Sequence, residues 1–191
     1  IITLGGLLCG TIPFLIMICL IFNALTCSLS VRRSAIISMA LCYSSNIFIF
    51  AGAYWGHLLS GALATLGFYF FFKRDQPIPA GIFLSLGVAA EYTTLLLIPI
   101  FCLADLLANK KHQKSLLLLI STIPAGFLIG YYHYLHTGSP FTPLYFFIAD
   151  DNFSQMKQNL GLSLSFSNFE ILWELLFGAY RGMFFYSPIL L

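Results

Sequence analysis

Residues 80–108 read AGIFLSLGVAAEYTTLLLIPIFCLADLLA, an apolar run broken near its middle by Glu91-Tyr92-Thr93-Thr94. Basic residues flank it on both sides, Lys73-Arg74 before it and Lys110, Lys111 and Lys114 after it. Basic residues collect on the cytoplasmic side of short loops, so a chain that meets them twice must leave the cytoplasm and return in between. About 29 residues are too few for two full crossings of roughly 20 helical residues each. The length therefore predicts two short helices meeting near Glu91-Tyr92, buried part-way into the membrane, rather than one long tilted helix. Non-helical backbone at that depth is tolerated only against protein or a wet cavity. An ionisable Glu91 at the junction marks such a cavity, because intramembrane charge is costly. The alternative is a Glu91 hydrated at the outer interface.

The rest of the chain has the same character. Of its 191 residues 59% are hydrophobic and 17% aromatic, against 8% charged. With a mean hydropathy of +0.90, this excludes an ordinary soluble composition and predicts an integral membrane protein with the bilayer as its first partner. The formal charge of +2 points to no nucleic acid, since the basic residues stand in short pairs between apolar runs rather than on one face. Cys9, Cys19, Cys27, Cys42 and Cys102 form no CxxC pair and lie in apolar runs. They read as small apolar side chains, not as a zinc site or a disulfide framework.

Going outward, the expected spans are Ile1 to Leu29, with a kink at Pro13, then Ala35 to Ala53, Leu58 to Phe72 and Leu116 to Tyr132. Arg32-Arg33 and Lys73-Arg74 fall on the cytoplasmic side. The turn Tyr54-Trp55-Gly56-His57 falls opposite, where its aromatic residues suit the interface. Gly6 and Gly10, Gly52 and Gly56, and Gly126 and Gly130 have the small-residue spacing that allows close helix contact. Without Met or a basic flank, the first run is not read as a signal peptide, and both ends of the chain are read as cut. The expected organisation is a polytopic all-α bundle. Transmembrane helices fill 1–132 with the short hairpin at 80–108, an exoplasmic loop region fills 133–187, and a further span starts at 188–191.

Most of the remaining ionisable residues lie in that loop region: His133, His136, Asp150, Asp151, Lys157, Glu170, Glu174 and Arg181. Gly138-Ser139-Pro140 and Pro143 block helix continuation. Ser167-Asn168-Phe169-Glu170 fits a capping box. An amphipathic interfacial helix near 168–177 follows, with Phe169, Leu172, Trp173, Leu176 and Phe177 on one face and Gly178 as its stop. Arg181 sits among aromatics before Ser187-Pro188. It either snorkels to headgroups or pairs with Glu174, or it offers a bidentate fork to a lipid phosphate. His133 and His136 are close enough along a helix to share a metal, but no third ligand stands at a helpful spacing, so no metal site is assigned.

The order of short spans, the Tyr54-Trp55-Gly56-His57 turn, the Ala80 to Thr93 stretch, the Gly138-Ser139-Pro140 loop and the Arg181-Gly182-Met183-Phe184 approach to Ser187-Pro188 resemble polytopic GT-C glycosyltransferases. Within that clan they are most similar to the bacterial branch grouped with protein mannosyltransferases and the lipid A aminoarabinose transferase. The resemblance implies a bacterial inner-membrane enzyme that transfers a sugar, with inversion, from a polyprenyl-phosphate donor to an unidentified acceptor on the exoplasmic side. In such enzymes an acidic residue of the first exoplasmic loop, often with a divalent metal ion, acts on the acceptor. That loop would precede Ile1, so the resemblance assigns no catalytic base here, and Asp150 and Asp151 are not taken for it. It implies Arg181 as partner of the lipid phosphate, with His57, Glu91 and His133 as polar contacts. A transporter or flippase, or an inactive truncated remnant, stands as the alternative.

Overall fold

The computed structural model describes residues 2–52, 56–109, 112–142, 173 and 176–178. Among them the chain is all-helical. Its order is α1 (Ile2–Gly6), a π-helical turn (Leu7–Thr11), α2 (Ile12–Thr26), α3 (Val31–Tyr43), α4 (Asn46–Ala51), α5 (Gly56–Phe68), a second π-helical turn (Tyr69–Lys73), α6 (Pro77–Ala90), a 3-10 turn (Tyr92–Leu96), α7 (Leu97–Asn109) and α8 (His112–Thr137). It divides into two compact units, 1–125 with 186–191, and 126–185.

Among the described residues two helices are long and apolar enough to cross a membrane: Leu4–Thr26, with 23 residues and a mean hydropathy of 2.4, and His112–Thr137, with 26 residues and 1.7. Each leaves an apolar stripe exposed, Leu4, Leu8, Ile12 and Leu15 on the first and Leu116, Ile120, Ile123 and Phe127 on the second. Stripes of that size are unfavourable against water and suit lipid. The expected kink at Pro13 takes the form of the π turn just before it, where the Ile12 amide reaches back to the Leu7 carbonyl. A proline ring clashes with the carbonyl four residues back, and the wider turn relieves that clash.

The expected span from Ala35 to Ala53 is instead split into α3 and α4. Ser44 and Ser45 turn their hydroxyls back onto the carbonyls of Ala40 and Cys42. This local alternative to the helix ladder ends α3, and an extended Ser45 opens α4. At 13 residues, α3 is about 20 Å long, short of a crossing. Phe14, Cys42 and Leu58 form the core here, with Met17, Ile18, Ile21, Ile47 and Phe50 around them.

The hairpin begins at Pro77, before its expected start at Ala80. α6 starts at Pro77, has 14 residues and ends at Glu91, whose backbone is extended. It runs antiparallel to α5, and the packing is close because glycines face it. A methyl at Gly56 would stand 2.7 Å from the Ala90 carbonyl, and one at Gly67 would stand 2.8 Å from the Leu84 side chain. The break at Glu91 therefore lies level with the start of α5 rather than part-way along it. The return limb gains length from its 3-10 turn, which rises about 2 Å per residue. The hairpin thus fits a longer path into few residues than two α-helices would.

In the second unit, α8 continues past the expected boundary at 132 to Thr137, so His133 and His136 are helical. Gly138, at φ +74°, ends it, donating its amide to the Tyr134 carbonyl at 2.9 Å. Trp173 and Phe177 are helical, with ring centroids 4.6 Å apart, and Gly178 is not helical. The expected capping box, Asp150, Asp151, Glu170, Glu174, Arg181 and the start of a span at 188–191 lie outside the described residues.

Candidate functional site

His57 stands in the first turn of α5 and Glu91 at the junction of α6 with the 3-10 turn. Antiparallel packing brings them together, and His57 Nδ1 lies 2.8 Å from Glu91 Oε2. The side chains are 44% and 31% exposed, so the pair is partly buried. The edge of the imidazole meets Phe50 of α4, with centroids 5.5 Å apart, which limits its rotation. Nδ1 donates to the carboxylate, so a neutral ring carries its lone pair on Nε2.

One helical turn further in, the same two segments meet again. Ser60, three residues after His57, and Thr94, three after Glu91, share a buried hydroxyl–hydroxyl hydrogen bond of 2.5 Å. Gly87 makes room for it, since a methyl there would stand 2.9 Å from Thr94 Cγ2. Two polar rungs thus fasten the helix break to α5. Such a hydroxyl pair contributes on the order of 0.5–1.5 kcal/mol.

A second polar centre occupies the other end of α5 and α6. Lys114 Nζ of α8 lies 2.7 Å from Asp75 Oδ1 in the α5–α6 turn and 3.8 Å from Asp105 Oδ1 of α7. Its ammonium sits 4.4 Å from the centroid of Phe71. Ser115 donates to Asp105 Oδ2 at 3.4 Å. Asp75, at φ 56°, holds a left-handed conformation that Asp tolerates better than most residues. The sequence reading passed over Asp105, although a lone acid inside an apolar run was the signal for it.

His133 is buried on α8, and its carbonyl accepts the Thr137 hydroxyl at 2.9 Å. His136 is exposed and meets the Tyr132 ring edge-on at 4.7 Å. The two histidines thus differ in environment, and no group of three metal-ligating side chains occurs among the described residues. Of the four candidate contacts, then, the structure joins His57 to Glu91, places His133 in the other unit, and does not describe Arg181. No protein-family model matches the sequence, and comparison with curated proteins and with solved structures returned no match.

Proposed function

We propose that this chain is part of a multi-pass glycosyltransferase of GT-C type in a bacterial inner membrane, transferring a sugar from a polyprenyl-phosphate donor to an exoplasmic acceptor. The observation that carries the reading is the His57–Glu91 pair. It is a half-exposed polar rim at the end of α5 and α6 away from Lys73, Arg74 and Lys114, and so on the exoplasmic side by the positive-inside rule. A transfer site needs such polar contacts for a sugar hydroxyl. It also needs positive charge where the phosphate leaves, the role proposed for Arg181. The membrane assignment draws on the exposed stripes of α1–α2 and α8.

The full open reading frame, reconstituted in proteoliposomes with a panel of radiolabelled polyprenyl-phosphate hexoses and aminopentoses, tests this. Transfer of label to an acceptor is expected, abolished by Arg181→Ala and partly restored by Arg181→Lys. Absence of transfer from every donor removes the reading, and an Ala variant as active as the wild type removes Arg181 alone. The helix interruption at Glu91 favours a second reading, a carrier, because transporters bind substrate at broken helices. A carrier moves the intact lipid-linked sugar across the bilayer and leaves its sugar–phosphate bond uncut.

A further inference from the structure

We propose that the turn closing α8, from Gly138 to Thr142, folds back into the outer leaflet and seats the Phe141 ring among phospholipid acyl chains just beneath the headgroups. The proposal rests on the membrane assignment and not on sugar transfer. It departs from the exoplasmic loop expected after α8, because Pro140 and Phe141 return to the bilayer while Gly138 and Ser139 stand at the crest in water.

The chain reverses at Gly138, whose φ is +74°. A methyl on Gly130 would stand 3.6 Å from Pro140 Cβ and 3.7 Å from its carbonyl oxygen. Gly130 lies about 12 Å down the helix from Gly138, so the chain descends beside α8. With 26 residues, α8 is about 39 Å long and overruns a hydrocarbon core of roughly 30 Å. Counted from Leu116, where the apolar run of α8 begins, that core ends about 20 residues on, near Leu135, and leaves Gly130 and Pro140 roughly 8 Å inside it.

The surface at that level is apolar. Phe141 is 91% exposed, and Phe127 and Tyr134, which share the Gly130 face of α8, are 75% and 55% exposed. A single bare ring is ordinary in water, but this one sits beside a helix whose exposed stripe suits lipid. The backbone of the turn is also prepared for lipid, where amides must find partners without water. Gly138 donates to the Tyr134 carbonyl at 2.9 Å and Ser139 to Thr137 Oγ1 at 3.2 Å. Phe141 donates to Ser139 Oγ at 3.4 Å and Thr142 to the Ser139 carbonyl at 3.5 Å. Pro140 has no amide hydrogen. Every backbone donor from Gly138 to Thr142 is thus taken within the turn and the last turn of α8.

The test places one tryptophan in the full-length protein, with Trp55 and Trp173 replaced by Phe. The nanodiscs hold phosphatidylcholine brominated either near the glycerol end or near the tip of its acyl chains. Phe141→Trp is expected to lose at least about half its emission to the first lipid and less to the second, as suits a ring roughly 5–10 Å below the headgroups. Aqueous iodide is expected to quench it about fivefold less than free tryptophan, and Thr137→Val, which frees the Ser139 amide, to raise that quenching about twofold. Iodide quenching equal to that of free tryptophan overturns the insertion, and strongest quenching by the tip-brominated lipid overturns the depth. Resistance to both iodide and bromine means that protein covers the ring, and overturns lipid as its occupant. Iodide quenching that Thr137→Val leaves unchanged overturns the role of the sealed amides. Phe127→Trp reads the membrane assignment separately. Bromine quenching there but not in Phe141→Trp overturns the wedge alone, and quenching in neither overturns both.

Discussion

Replacing Lys114 with Met separates distance from burial as the source of ion-pair strength. Met keeps the apolar stem over Phe71 and removes only the ammonium, 4.4 Å from that ring. Two carboxylates then lose this ammonium, unequally. Asp75 is the nearer at 2.7 Å, but its side chain is 76% exposed. Water and salt replace most of that interaction, which is worth about 0–1 kcal/mol. Asp105 is farther at 3.8 Å but fully buried. At an effective dielectric of roughly 20 its attraction to Lys114 is about 4 kcal/mol, and removing one partner of a buried pair costs roughly 3–5 kcal/mol. Lys114→Met should therefore destabilise by about 3–5 kcal/mol and Asp75→Asn by less than about 1 kcal/mol, whereas distance alone, with the nearer pair dominant, predicts nearly equal costs. Reversible SDS unfolding in bicelles measures both. Adding Asp105→Asn to Lys114→Met should restore about 2 kcal/mol, since the pair couples directly. Equal costs for Lys114→Met and Asp75→Asn would refute the argument from burial.

Two further outcomes follow from the same geometry. Gly56→Ala sets a methyl 2.7 Å from the Ala90 carbonyl, which cannot yield without parting α5 from α6, and should cost about 1–3 kcal/mol. Gly61→Ala on the same helix meets nothing within 4 Å and should be neutral or stabilise by up to about 1 kcal/mol; similar effects at both sites would undo the assigned packing. For orientation, in a background without the native cysteines, Ser139→Cys should react with an impermeant thiol reagent on intact cells, and Gln113→Cys only after permeabilisation. The opposite pattern would invert the topology.

The helical class was legible because composition alone rules out alternatives, and the break at Glu91 because a length had to be reconciled with two basic flanks. The pairing of Glu91 with His57 was not legible. It depends on the α5–α6 register, which is set by methyl-sized clearances at Gly56 and Gly87 that no hydropathy pattern encodes. The glycine spacings were half informative: Gly10 and Gly56 face backbone closely, whereas Gly6 and Gly52 have nothing within 4 Å among the described residues. The split at Ser44-Ser45 was hidden because two serines barely change the apolarity of a span, while their hydroxyls compete directly with its hydrogen-bond ladder. Asp105 was lost in the same averaging, although a single buried charge weighs more than many methylenes.

The short helices make physical sense once their ends are considered together with their lengths. α6, at 14 residues, is about 21 Å long, well under the roughly 30 Å of a hydrocarbon core. A helix that short in lipid would strand backbone groups at its ends. Here one end meets Glu91, His57 and the Ser60–Thr94 pair, and the other meets the Asp75 turn with Lys114 and Asp105. Polar groups supplied by α5, α7 and α8 therefore stand at both ends of the apolar length, so α6 need not reach water on its own. The same arrangement places a partly exposed ionisable pair at one end of that apolar length, and at the other a Lys114 shared between an exposed Asp75 and a buried Asp105.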